Sequence, residues 1–224
     1  MLPREHSTVV AKKRNPYQND ARTRAARAAG FPARSVYKLE EIQKRVRLLG
    51  SGKRILDLGA APGSWSKYAA QQVGPKGLVV AIDLAAIEEK LGPNVHVAQG
   101  DALDPDSPLL AQHAPYDVVL SDMAPRTSGD KLRDRYLSYE LAVGALEVAK
   151  RVGKPGSDFV AKIFMSEDFD AAKKAVQAAY ESCKVVRPAA TRDASTEVFL
   201  VGVRLRPEAV TAPSLTSAEG GGAV

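Results

Sequence analysis

The sequence predicts an α/β domain: a mostly parallel seven-stranded sheet with its last strand antiparallel and helices on both faces. Three observations predict it. From Arg54 onward, short apolar segments alternate with helical ones, the pattern of a parallel sheet covered on both sides. The first strand candidate ends in a glycine-bracketed turn that leads directly into a helix, ILDLGAAPGSWS over residues 55–66. The final two strand candidates are joined only by AATRDAST. That is too short for a helical crossover, so this pair runs antiparallel.

The chain opens on a basic arm. Residues 1–30 hold Arg4, Lys12, Lys13, Arg14, Arg22, Arg24 and Arg27 against Glu5 and Asp20, a net of +5 out of +6 for the whole chain. A basic arm ahead of a nearly neutral body points to a polyanionic partner, and the alternative is a solvated, frayed terminus. Gly30 and Pro32 break any helix at the end of the arm. In RSVYKLEEIQKRVRLL, Val36, Leu39, Ile42, Val46 and Leu49 recur at helical spacing, and SGK closes that helix.

The strand candidates follow as RILDLG, LVVAIDL, NVHVAQG, YDVVLSDM, SDFVAKIF, KVVRP and EVFLVGVRL. The helical stretches between them are SWSKYAAQQV, YLSYELAVGALEVAKRV and EDFDAAKKAVQAAYESC. From Pro207 the chain is poor in large apolar residues, which predicts a disordered tail over residues 207–224. The expected organisation is an arm over residues 1–30, one domain over 31–206 and the tail.

Composition narrows the class. A chain of 224 residues that is 45% hydrophobic and 26% charged suits a single folded domain. No apolar run approaches membrane-spanning length, and the N-terminus lacks the apolar core of a signal peptide. Cys183 is the sole cysteine, so neither an internal disulfide nor a cysteine metal cluster is expected, and no metal site is assigned. A reducing, cytoplasmic setting is the simple expectation.

In an open parallel sheet, ligands bind beyond the carboxyl ends of the strands. In strand order those ends bring Gly59, Asp83, Asp101, Asp122 and Lys162, and the reversed last strand begins at this same edge with Glu197. Each has a plainer reading: Asp as a turn or helix cap, Lys162 as a snorkelling surface cation with Glu197 as its partner. Their collection at one edge favours a site.

The turn GAAPGSW lacks the spacing of a dinucleotide loop, and Pro62 removes a backbone N–H donor. It is poorly built for phosphate. S-adenosylmethionine carries a sulfonium, an α-ammonium and a ribose diol instead, which suit carboxylates and close backbone approach. On this reading Asp83 takes the ribose hydroxyls, Asp101 the adenine surroundings, and Gly59 and Gly63 admit the ligand. Trp65 either flanks it or packs the helix onto the sheet.

These motifs resemble the FtsJ (RrmJ) family of ribose 2′-O-methyltransferases over roughly residues 32–205. The matching stretches are RSVYKLEEI, DLGAAPGSWS, AIDL, QGDAL, SDMAP, KIF and TEVFLVG. The resemblance implies a Rossmann-like class I methyltransferase fold with S-adenosyl-L-methionine as cofactor. It also implies a catalytic Lys-Asp-Lys-Glu tetrad, here Lys38, Asp122, Lys162 and Glu197. Lys38 lies beside Glu40 and Glu41 in an amphipathic helix, ordinarily a solvated position, and the resemblance alone assigns it to the tetrad.

Within the family the chain is most similar to the bacterial members that methylate a uridine ribose of large-subunit (23S) rRNA in the assembled subunit. Ser64, Arg126 and the acidic IFMSEDFD segment depart from the family pattern. The resemblance implies Lys162 either as a general base, its pKa lowered by Lys38, or as a cation that steers the hydroxyl. The basic arm would contact rRNA phosphates, with Tyr17, Phe31 and Tyr37 stacking on bases. Rival readings are the same chemistry on tRNA or an mRNA cap, and a non-catalytic RNA-binding or ribosome-assembly protein of this fold. A monomer is expected.

Overall fold

In the computed structural model, residues 21–104, 107–126, 128–191 and 195–211 are described; the expectations for residues 1–20 and 212–224 lie outside them. A single seven-stranded sheet has the order β3-β2-β1-β4-β5-β7-β6. Its strands are β1 Arg54–Leu58, β2 Leu78–Asp83, β3 Val95–Gln99, β4 Tyr116–Ser121, β5 Gly153–Phe164, β6 Tyr180–Val186 and β7 Glu197–Leu205. The first five pair in parallel. β7 is antiparallel to both of its neighbours, inserted between β5 and β6.

Side-chain alternation divides each strand between two cores. On one face Leu56, Ile82, Val119, Phe159 and Leu200 pack under α4 Pro108–Ala111, α5 Lys131–Val152 and α6 Phe169–Ala179. On the other, Ile55, Val79, Leu120, Val160 and Phe199 pack under α2 Val36–Val46 and α3 Ser64–Val73. Lys162 and Glu197 fall in phase with Val160 and Phe199, so the sheet directs both toward the α2–α3 face.

Three boundaries differ from expectation. Helix α1 Ala21–Ala28 forms within the arm and buries Thr23 and Ala26, so this part of the arm packs on the body. Helix α2 stops at Val46 because Arg47 turns left-handed (φ 58°) and donates its N–H to Gln43 O. Leu48 and Leu49 are then buried from a linker, which the Gln43 amide pins by hydrogen bonds to both Leu49 N and Leu49 O.

The third difference is at Tyr180–Cys183, expected as the end of a helix. The helix stops at Ala179 and these residues open β6. The reason is tertiary: Tyr180 is fully buried and its ring stacks on Phe159 at 5.9 Å. That ring lies over Gly202 of β7, where a Cβ would sit 2.6 Å from Tyr180 Cγ. Gly202→Ala is expected to destabilise the fold by about 1–3 kcal/mol, read as a lower denaturation midpoint with an unchanged slope.

Candidate functional site

The turn after β1 is built by main-chain hydrogen bonds. Gly59 N and Ala60 N both donate to Ile82 O, and Gly63 N donates to Ala60 O. Gly59 has φ 71°, and any Cβ there would collide with Met123 Cγ. Only glycine suits both the angle and the close approach. Asp83 holds the turn from the end of β2: Oδ2 accepts from Ala61 N at 2.9 Å and Oδ1 from Ala85 N at 2.7 Å.

Gly59, Asp83, Asp101 and Asp122 line one cleft of about 550 Å³, together with Leu84, Leu103, Met123 and Arg126. The volume and the mixture of apolar walls with a few carboxylates suit a nucleoside-sized ligand. Asp101 Oδ1 accepts from Leu103 N at 2.9 Å, which fixes its loop. Arg126, one of the departures from the family pattern, falls on the wall of this cleft.

Gly63 and Trp65, the other two residues expected to touch cofactor, lie at the start of α3 beside the turn. Gly63 caps the N-terminus of α3, and a Cβ there would meet Leu91 and Ile87. Trp65 is buried in the α2–α3 core: its indole N–H donates to Ser35 O at 2.9 Å and its ring packs against Phe199 at 5.6 Å. It borders a void of about 10 Å³ shared with Asp57, Gly59, Ala61 and Asp122. The Trp65 ring thus packs the core from the edge of the turn, next to cleft residues Gly59, Ala61 and Asp122. Its place in the turn is set by the amphipathic contact of α3 with the sheet.

The four tetrad residues form two ion pairs. Lys162 Nζ donates to Asp122 O at 2.5 Å and lies 3.0 Å from Asp122 Oδ1. Lys38 Nζ lies between both oxygens of Glu197, at 2.7 and 2.9 Å, and 5.9 Å above the Phe199 ring. Strand register places Lys162 opposite Phe199 and Phe164 opposite Glu197, so the pairs are neighbours across two residues of β7. Asp122 Oδ1 is buried and faces the Lys162 ammonium. Asp122 thus belongs to both the cleft and the lysine pair.

Sequence reasoning left three contributors without a role. Asp57 is buried beneath the turn, and Ser66 Oγ donates to its Oδ2 at 2.5 Å. Burial, reinforced by the charges of Asp122 and Asp83 and opposed by the Ser66 hydrogen bond, raises its pKa from 3.8 to about 7. An aspartate within an otherwise apolar strand was the available signal. Ser64 ties residues 31–35 to α3, accepting from Ala33 N at 2.8 Å and donating to Ala33 O at 3.1 Å. Thr191 donates to Glu197 Oε1 at 3.3 Å.

Of the stacking candidates, Phe31 and Tyr37 are half-buried and Tyr17 lies outside the described residues. Arg22 donates to Ala189 O at 2.8 Å. No helix among the described residues is long and apolar enough to cross a membrane.

Residues 31–205 match the FtsJ-like methyltransferase family. The chain is 55% identical over 204 residues to the ribosomal RNA large subunit methyltransferase E of Sorangium cellulosum, covering 91% of this chain and 96% of that one. It is 48% identical to the Myxococcus xanthus protein of the same name, covering 87% and 93%. Among solved structures, a Plasmodium falciparum protein described as a ribosomal RNA methyltransferase superposes with TM-score 0.67 at 23% identity, covering 77% of this chain and 97% of that one. Aeropyrum pernix fibrillarin, solved with natively bound S-adenosyl-L-methionine, gives 0.59 at 19%, covering 75% and 76%. These two likenesses show a shared fold.

Proposed function

The chain belongs to the FtsJ-like methyltransferase family, and from that premise we propose that it methylates the ribose 2′-hydroxyl of a uridine in large-subunit (23S) rRNA. The methyl donor is S-adenosyl-L-methionine. The observation that supports this reading most directly is the double membership of Asp122, which lines the ligand cleft and pairs with Lys162. Methyl donor and acceptor hydroxyl must meet at such a junction.

The cleft residues fit the donor. Asp83 would hold its ribose diol and Asp101 its adenine edge, while Gly59 admits it without a Cβ and Leu84 and Leu103 supply apolar walls. When bound, it supplies an electrophilic methyl on a sulfonium. Transfer is an in-line displacement, so positioning the hydroxyl is the main task of the protein.

Lys162, gripped by Asp122, acts as the orienting cation. Its ammonium donates toward the ribose oxygen and aims a lone pair along the line of attack. The Asp122 carboxylate would take up the hydroxyl proton released on transfer. Lys38, paired with Glu197, completes the electrostatic frame for the ribose and its phosphates.

The basic arm would add sequence-independent phosphate contacts. Arg4, Lys12, Lys13 and Arg14 are its outer cations, and Arg24 and Arg27 are exposed on α1. The tetrad is complete within one chain, and the reading is of a monomer acting on the assembled subunit.

The test is transfer of labelled methyl to large ribosomal subunits from cells lacking this protein, with bulk tRNA in parallel. Label in large-subunit rRNA alone is the expected result. Label in tRNA alone would overturn the substrate, and label in neither, despite measurable cofactor binding, would indicate a non-catalytic RNA-binding protein. A chain lacking residues 1–20 should bind the same rRNA more weakly, with a salt slope reduced by roughly 2–3.

A further inference from the structure

Glu197 is reached through residues 188–191, a segment without regular secondary structure that is nonetheless held from both sides. Glu41 of α2 accepts the main-chain N–H of Ala189 on Oε2 at 2.7 Å and that of Ala190 on Oε1 at 2.9 Å. Arg34 donates to Ala190 O at 3.1 Å and Arg22 to Ala189 O at 2.8 Å. Thr191 N closes the turn on Pro188 O at 3.0 Å. The hydroxyl of Thr191, which is buried, then donates to Glu197 Oε1, and Glu197 grips Lys38.

These contacts close a ring. Lys38 and Glu41 lie three residues apart on α2, on one face of the helix. From Lys38 the path runs to Glu197, Thr191 and the 189–190 turn, and returns to α2 at Glu41. Both halves of the Lys38–Glu197 pair are therefore referenced to one helix, although they lie 159 residues apart in sequence. Pairing alone lets two flexible side chains drift together. A carboxylate receiving two main-chain donors is directional and rigid by comparison. Arg45, one turn on, lies 4.0 Å from the same carboxylate.

We infer that Glu41 is a positioning residue for methyl transfer, acting through the 189–191 turn and Thr191 to set where Glu197 holds Lys38. The inference rests on the methyl-transfer reading above. Glu41 does not line the donor cleft, so its removal should leave cofactor binding alone.

The test uses the full chain, with wild-type transfer to large subunits measured alongside. Glu41→Ala should lower kcat about tenfold, the scale on which slight misplacement acts, with KM for S-adenosylmethionine unchanged. Glu41→Gln should lose less, because its amide oxygen still accepts one N–H. Combining Glu41→Ala with Thr191→Val should cost no more than the larger single effect, since both break one path.

Unchanged kcat in Glu41→Ala, or effects of the two substitutions that multiply, would overturn the inference. If Glu41→Ala melts below the assay temperature, the same cycle is run with Glu41→Gln. Absence of transfer by the wild-type chain would instead count against the functional reading itself.

Discussion

Lys162→Ala is expected to lower kcat for methyl transfer by about 10³-fold while changing the dissociation constant for S-adenosylmethionine less than about threefold. The size follows from what is lost: the group that orients the nucleophile in a partly dry site, where single directed donors are worth two to three orders of magnitude. The separation of effects follows from location. Lys162 is buried on the α2–α3 side of the sheet, and the cleft wall is formed by Gly59, Asp83, Asp101 and Asp122.

The substitution also leaves the Asp122 carboxylate without its cation, which destabilises the local structure. Denaturant unfolding of the same variant reads that loss of stability separately from the loss of turnover. Single-turnover transfer and a calorimetric cofactor titration on the same preparations read the two quantities. Strong loss of cofactor affinity, with turnover per bound cofactor intact, would place Lys162 in the donor site instead.

The second large effect is on stability. With a folded pKa of about 7 against an ordinary 3.8, Asp57 keeps a proton in the folded chain that the unfolded chain has already released. Between about pH 4 and pH 7 the folded state therefore binds more protons, and its stability falls as pH rises. The fall ends once Asp57 ionises in both states, above about pH 7. A shift of roughly three units corresponds to roughly 4 kcal/mol across the window.

Asp57→Asn removes the titration and retains an acceptor for the Ser66 hydroxyl. Denaturant unfolding at pH 5 and pH 8 should show the variant losing far less stability than wild type between the two. Buried Asp158, also raised by desolvation, contributes equally to both proteins, so the difference isolates Asp57. Equal pH dependence in the two proteins would show that Asp57 is ionised in the folded state well below pH 7.

The extent to which sequence anticipated the site depends on the distance over which each feature is determined. Gly59, Asp83, Asp101 and Asp122 were placed on one cleft because each follows directly from a strand end, and strand ends are marked by glycine, aspartate and the change of hydrophobic period. Trp65 could not be resolved between ligand and core, since both readings require an aromatic at the start of α3. The core contacts of its ring depend on Ser35 and Phe199, 30 residues before it and 134 after. Asp57 was visible as an anomaly in an apolar strand, but its protonation depends on the burial that α3 imposes through Ser66. The Glu41 ring left no sequence signal, because carboxylate–backbone contacts need no particular residue type on the acceptor's partner.

By itself the sequence determined the α/β class, the parallel run of strands, the antiparallel final pair, the phosphate-averse turn and the family. These rest on periodicity, glycine and proline punctuation and local motifs, all of which act over a few residues. Tertiary structure alone decided that β7 lies between β5 and β6, that Tyr180–Cys183 is strand, and that Lys38 pairs with Glu197 while Lys162 pairs with Asp122. Those outcomes depend on which distant surfaces bury one another. Tyr180 over Gly202 and Phe199 beneath Lys38 are contacts whose free energy exists only after the sheet has assembled.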